Sequence, residues 1–309
     1  MKQKLLYAIA FMMFMPLFQA VTRAQKVQSD TVRVFYLGGQ SNMDGYGYNK
    51  DLPKELQKKN EDVWIYHGNP VGDDFPDGGL GLWKPLMPGH GVGFSSDGNS
   101  NRLSERFGAE LTLAKRLQEL CEGERIALIK YSRGGSSIDS LATGRFGCWD
   151  PDFNGTTGMN QYDFFLKTVR QAMGTHDING DGRNDILVPA GIVWMQGESD
   201  ASYTEEIASA YYSNLLRLMD LMRAAFHTDD LPVVIGKISD SWNDEVDSKM
   251  WDYGELVQYA QEKYARTDGH AAVVRTTRYY KYSDPWHYDS EGYIDLGVQF
   301  AEALYRLNH

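Results

Sequence analysis

Three short stretches of this 309-residue chain carry the side chains that nucleophilic chemistry needs. Near the front, Gly38-Gly39-Gln40-Ser41-Asn42-Met43 follows an apolar run and sets a serine hydroxyl where the backbone has to turn sharply. In the middle, Trp194-Met195-Gln196-Gly197-Glu198 ends a second apolar run with an amide and a carboxylate. Near the end stands Asp284-Pro285-Trp286-His287, where a carboxylate three residues before an imidazole can reach it and fix its tautomer. A hydroxyl, an imidazole able to take its proton and a carboxylate that orients the ring together make an activated nucleophile. Each stretch also has a plain structural use: serine in a glycine loop, Ser202 or Thr204 capping one helix, Asp284 and Asp289 capping another. The chemistry requires that all three meet.

The elements that could make them meet alternate along the chain. Apolar, β-rich runs stand at Thr31–Leu37, Val63–Tyr66, Arg125–Tyr131, Ile186–Met195, Val233–Ser239 and Ala271–Thr276. Between several of them lie helix-period segments at Phe107–Leu120, Tyr162–Met173, Tyr203–Phe226, Lys249–Ala265 and Ser290–Leu307. Near-continuous apolar strands separated by amphipathic helices predict a parallel sheet covered on both faces, in one α/β domain over 25–309. Such sheets bind ligands beyond the carboxyl ends of their strands, where the three stretches fall. Residues 67–106, rich in glycine and proline, break the rhythm; Trp83, His90 and Phe94 within them favour an ordered loop near the site.

Composition narrows the classes. The chain is 42% hydrophobic and 24% charged, with 31 Lys+Arg against 42 Asp+Glu and a net charge of −11. These are the proportions of a globular protein with a sizeable core, and an acidic surface repels nucleic acid. Lys2 and Lys4 precede an apolar run from Leu5 to Phe18, and Thr22-Arg23-Ala24 supplies small residues for cleavage after Ala24. Residues 1–24 therefore read as a signal peptide of a secreted or periplasmic protein, with no membrane span in the mature chain. Cys121 and Cys148 could pair there, or stay as buried thiols.

Taken in order, Gln40-Ser41-Asn42-Met43, Gly134-Gly135-Ser136, Trp194-Met195-Gln196-Gly197-Glu198 and Asp284-x-x-His287 resemble the blocks of SGNH hydrolases. The most similar branch holds carbohydrate esterase family six, the acetylxylan esterases, and the sialate O-acetylesterases; Phe107-Gly108-Ala109-Glu110 looks like that branch too. The commoner SGNH pattern has Asp before the nucleophile and Asn as third oxyanion donor, where this chain has Gln40 and Gln196, as the acetylesterase branch does. The resemblance implies a three-layer α/β/α sandwich around a mainly parallel, five-stranded, flavodoxin-like sheet. It implies Ser41 as nucleophile, His287 as base and then acid, and Asp284 as its orienting carboxylate, with Glu198 as a second candidate acid. The oxyanion would be held by the N–H of Ser41, the N–H of Gly134 (Gly135 being the competitor) and the amide of Gln196. The activity implied is removal of acetyl groups from a carbohydrate without a catalytic cofactor. An esterase for longer acyl chains and a non-catalytic carbohydrate-binding protein are the alternatives.

Two further features invite a ligand. Asp177-x-Asn179-x-Asp181-Gly182-x-x-Asp185 follows the first nine positions of an EF-hand-type loop, which would place a structural calcium there; Val188 occupies the twelfth position, and a solvated turn explains the same residues. Trp83, Trp149, Trp242 and Trp286 lie in expected loops, with Trp286 and then Trp83 as candidate sugar platforms; Arg133 and Arg145 could meet an acidic sugar.

Overall fold

The computed structural model describes residues 31–71, 75, 77–155 and 159–309; the signal peptide expected over 1–24 lies outside the described residues. The apolar runs form strands β1 (Thr31–Gly39), β2 (Asn60–His67), β3 (Trp83–Leu86), β4 (Arg125–Ser132), β5 (Ile186–Met195), β6 (Val233–Gly236) and β7 (Ala271–Val274). They make a sheet of order β7-β6-β5-β1-β4-β2-β3. Every pairing is parallel except that of β3 with β2.

The sheet has seven strands rather than the expected five. The strand hidden from sequence is β3, inside 67–106, where Pro85 in Trp83-Lys84-Pro85-Leu86 reads as a loop. A proline is tolerated because β3 is an edge strand with one neighbour. Among the described residues of 67–106 there is also a short ladder between 95–96 and 101–102 and another joining 106–107 to 47–48.

The helices are α1 (Ser41–Asp44), α2 (Glu110–Leu120), α3 (Gln161–Met173), α4 (Glu198–Ala201), α5 (Glu205–Ala225), α6 (Gly254–Thr267) and α7 (Ser290–Asn308). Thr204 caps α5 through the Ile207 N–H, and Asp289 caps α7 through the Gly292 N–H. Adjacent residues of β1 point to opposite faces and define the layers. Tyr36 meets Phe165 of α3 edge-on, with centroids 5.0 Å apart, and Phe226 beyond α5 at 5.9 Å. Phe35 and Arg33 face the other way, where Arg33 bonds Asn308 of α7 at 2.9 Å. On that face α7 packs against α2 at Gly297, where a Cβ would lie 2.1 Å from Thr112 Oγ1. Cys121 and Cys148 are both buried and both free.

A fully buried cation ties the sheet to the loops above it. Lys130 of β4 is 0% exposed and donates to Glu110 Oε2 at 2.8 Å, His90 O at 2.8 Å and Asp44 O at 2.9 Å. All three ammonium hydrogens are thereby used, and the charge is matched by the equally buried Glu110, whose Oε1 accepts the Gly108 N–H. Beside it the buried rings of His67 and His90 meet through their Nδ1 atoms at 3.2 Å, with Phe94 stacked on His67. Burial, reinforced by Lys130, lowers both imidazoles, that of His90 to about 4.

This histidine pair sets a pH limit on stability. A ring charged near pH 6.5 in the unfolded chain stays neutral in the fold, so its contribution is intact above 6.5 and is lost as pH falls from 6.5 towards 4. Urea unfolding should show the wild type losing stability over that interval, with His90 accounting for up to about 3 kcal/mol of it. His90→Gln should flatten that part of the slope; an unchanged slope would contradict the assignment.

Candidate active site

Strands β1, β4 and β5 stop level with one another, because Gly39 is in register with Ser132 on one side and Met195 on the other. Gln40-Ser41, Arg133-Gly134 and Gln196-Gly197 therefore leave the same carboxyl edge side by side. This is also where the strand order reverses about β1, the place where open α/β sheets bind ligands. Gly39 is needed at the junction: its φ is +140°, and a Cβ would fall 2.0 Å from Met195 O. The Gln40 N–H donates to Met195 O at 2.9 Å and the Arg133 N–H to Gly39 O at 3.0 Å, so the three turns are fastened together.

Ser41 opens α1 and is 7% exposed. No acceptor for its N–H is found among the described residues. Gly134 lies against it, since a Cβ there would be 3.3 Å from Ser41 Cβ and 3.2 Å from Asp44 Oδ2. The Gly134 N–H donates to that Asp44 oxygen at 2.8 Å. Burial raises the Asp44 carboxyl, against the pull of Lys130 and Arg133.

The turn from the far end of the chain is docked on the same helix. His287 Nδ1 lies 2.8 Å from Asp284 Oδ2, while Asp284 Oδ1 accepts the N–H groups of Trp286 and His287, each at 2.9 Å. The carboxylate thus fixes both the ring and the backbone of the turn. Tyr46 stacks on His287 at 3.5 Å with the planes 5° apart. Asn42, the neighbour of Ser41, binds the turn directly: its Nδ2 donates to Trp286 O at 3.2 Å and its Oδ1 accepts the Tyr288 N–H at 3.4 Å.

The other expected residues have clear partners. Glu198 reaches Asn42, with Oε1 accepting Nδ2 at 2.8 Å, and Asp284 is the carboxylate on His287. Gln196 is 0% exposed; its Nε2 faces Asp200 Oδ2 at 2.6 Å, Gln40 Oε1 at 3.1 Å and Ser136 O at 3.2 Å. Its Oε1 accepts the Tyr211 hydroxyl at 3.0 Å. Gln196 and Gln40 here bolt the end of β5 to the end of β1, and burial raises Asp200 beneath them to about 6. At Gly135, with φ +73°, a Cβ would fall 2.4 Å from Phe146 Cδ2.

Trp286 is 49% exposed beside His287, and Trp242 is 61% exposed on a loop whose Ser241 hydroxyl bonds Pro285 O at 2.7 Å. Trp83 belongs elsewhere: it is buried on edge strand β3, with its indole N–H donated to Ala172 O at 3.1 Å. Trp149 is buried too, donating to Ser136 Oγ. A tryptophan in a glycine-rich stretch is often packing, and here two of the four are. Sequence reasoning passed over Asn42, Asp44 and Tyr46, although a run of polar residues directly after a buried strand was the available signal.

Among the described residues no group of three or more His, Cys, Asp or Glu side chains is placed to hold a metal ion. In the loop before β5, Asp177 accepts the N–H groups of Gly180 and Gly182, Asp181 pairs with Arg183, and Asp185 with Arg125 at 2.5 Å.

The fold is a mainly parallel α/β sheet bearing serine, glycine and glutamine turns at one edge. Residues 31–306 match the family described as carbohydrate esterase, sialic acid-specific acetylesterase, and the chain belongs to that family. Solved structures share the fold. A protein from Arabidopsis thaliana superposes with a TM-score of 0.63 at 20% identity, covering 90% of this chain and 99% of its own. A carbohydrate acetylesterase from Xanthomonas citri gives 0.58 at 18%, over 89% of this chain and 56% of that one. NanS gives 0.56 at 16%, over 91% and 98%. No curated protein matches the chain by sequence. The family matched is thus the sialic acid-specific one, while the xylan-directed family six is not the one found.

The level strand ends leave Gly39 no room to change. Gly39→Ala should lower the unfolding free energy by about 3 kcal/mol or more, because Met195 O cannot move away from a Cβ. Gly180→Ala, at φ +73° but in open space, should cost only about 1 kcal/mol. Chemical denaturation of both variants checks the contrast; equal costs would contradict it.

Proposed function

We propose that this protein is an exported carbohydrate O-acetylesterase acting through an acetyl-Ser41 intermediate. The observation that carries the reading is the Asp284–His287 pair at 2.8 Å, its turn bonded through Trp286 O to Asn42, the residue next to Ser41. Ser41 Oγ attacks the ester carbonyl carbon as His287 Nε2 takes its proton; the carbonyl π electrons move onto oxygen. Collapse of the tetrahedral intermediate breaks the bond to the sugar oxygen, which receives the proton back from His287. Water, deprotonated by His287, then attacks acetyl-Ser41; collapse breaks the bond to Ser41 Oγ, which takes the proton from His287, and acetate is released. Asp284 keeps the proton on Nδ1 and stabilises the charged ring.

The oxyanion falls to the Ser41 N–H, which has no competing acceptor among the described residues, and to the Gly134 N–H once the substrate oxygen replaces Asp44. Gln196 would join them by giving up one of its three acceptors; each such donor is worth on the order of a hundredfold in rate. The family's description supports an acetylated sialic acid as the first substrate to test, ahead of acetylated xylan. The leader-like residues 1–24 support export. Among the described residues no helix is long and apolar enough to cross a membrane.

Acetate release from a panel holding acetylated sialic acid, acetylated xylan and p-nitrophenyl acetate tests the reading. Ser41→Ala and His287→Ala should each lose activity by about 10⁴-fold or more, and Asp284→Asn by a similar factor. A Ser41→Ala protein that still releases acetate would overturn it. Faster turnover of butyryl or octanoyl esters than of acetyl esters would shift it to a longer acyl chain.

A further inference from the structure

Asn42 and Glu198 stand in the same buried cluster, each 1% exposed, and neither carries out a step above. Asn42 is saturated in a way that only an amide allows. Its two N–H donors go to Glu198 Oε1 at 2.8 Å and Trp286 O at 3.2 Å; its oxygen accepts the Tyr293 hydroxyl at 2.7 Å and the Tyr288 N–H at 3.4 Å. Four bonds thus join α1, α4, α7 and the His287 turn at one side chain. Glu198 accepts from the amide's NH₂ end and so, with the turn itself, favours the orientation in which that end faces Trp286 O. If the amide were reversed, its oxygen would face Trp286 O and its NH₂ the Tyr288 N–H, two repulsive contacts.

Glu198 is itself unusual. Its Oε2 is buried with no partner, and no salt bridge to it is found among the described residues. Burial raises its carboxyl, and the neighbouring Asp200 adds to this.

We infer that Glu198 and Asn42 are a coupled pair of positioning residues: Glu198 sets the Asn42 amide, and Asn42 holds the His287 turn in register with Ser41. The inference rests on the hydrolytic reading above and adds to it a function for Glu198 other than as the carboxylate of His287. A displacement of about 1 Å in a reacting group costs on the order of a hundredfold in rate, so a clasp of this kind acts on kcat.

The test uses p-nitrophenyl acetate turnover with the full chain. The wild type and Ser41→Ala are run alongside, so that failure of the hydrolytic reading shows separately. Asn42→Ala and Glu198→Ala should each lower kcat by about 30- to 100-fold with KM within about threefold. Combining them should cost no more than Asn42→Ala alone, because both break one linkage. Glu198→Gln keeps the acceptor and should retain kcat within about threefold, whereas an acid needed as a carboxylate could not be replaced so. Asn42→Asp, nearly the same shape but without the two donors, should fall with Asn42→Ala and stands in for it should that variant not fold. The rate of Ser41 sulfonylation by phenylmethanesulfonyl fluoride should follow the kcat series. Multiplicative losses in the double variant, or a Glu198→Gln protein as impaired as Glu198→Ala, would overturn the inference.

Discussion

One buried ammonium holds the upper edge of the sheet in place. Lys130 sits in a central strand with no exposure to solvent and spends each hydrogen on a different element: the end of α1, the 67–106 loop and the first turn of α2. Removing a charge from water is expensive, and one partner alone would not offset it. With Glu110 neutralising it and two carbonyls completing its shell, the ion becomes a three-way rivet whose geometry has few alternatives. Replacing either member alone strands the other's charge, a loss of about 3–5 kcal/mol. The position of Asp44 O, and hence of α1 with Ser41, follows from that rivet together with the level ends of β1, β4 and β5.

Above the rivet the site is built from buried polar groups, most of them bonded to one another, with Glu198 Oε2 an exception among the described residues. Gln40 and Gln196 join two strand ends, Asp200 receives the N–H groups of Ile138 and Asp139, and Asn42 joins both ends of the chain. Such networks rigidify when complete, because low local dielectric strengthens each bond and penalises each vacancy. The carboxyls of Asp44, Glu198 and Asp200 are all shifted upward by burial, while Asp284 stays near the surface against His287. The acids thereby divide into those buried within the network and the one that pairs with His287. Rigidity at Ser41 and exposure at Trp242 and Trp286 suit a fixed reaction centre under an open rim, as an esterase acting on a glycan requires.

Sequence revealed most of what periodicity and strand ends can reveal. The six apolar runs and five helical segments correspond to observed elements within a few residues, since burial on both faces of a parallel strand leaves a plain signature. The edge strand at Trp83–Leu86 stayed hidden: a proline and surrounding glycines obey turn rules locally, and only the presence of β2 makes a ladder there. Asp284 and His287 were readable as a pair because the contact is local. The partners of Glu198 and Gln196 were not, since Asn42 and Gln40 lie 156 residues away in each case and meet them only through the sheet register. Trp83 was misplaced for the same reason, its packing being set by α3.

The central claim is spatial: a serine from the first strand and a histidine from the last turn share one reacting centre. It is tested most directly by a crystal structure of the protein after reaction with a small phosphonate ester. The account predicts phosphorus bonded to Ser41 Oγ, His287 Nε2 within hydrogen-bond reach of the adduct, and the Ser41 N–H directed at the phosphoryl oxygen. Phosphorus on another side chain, or His287 turned away from an adduct on Ser41, would contradict it.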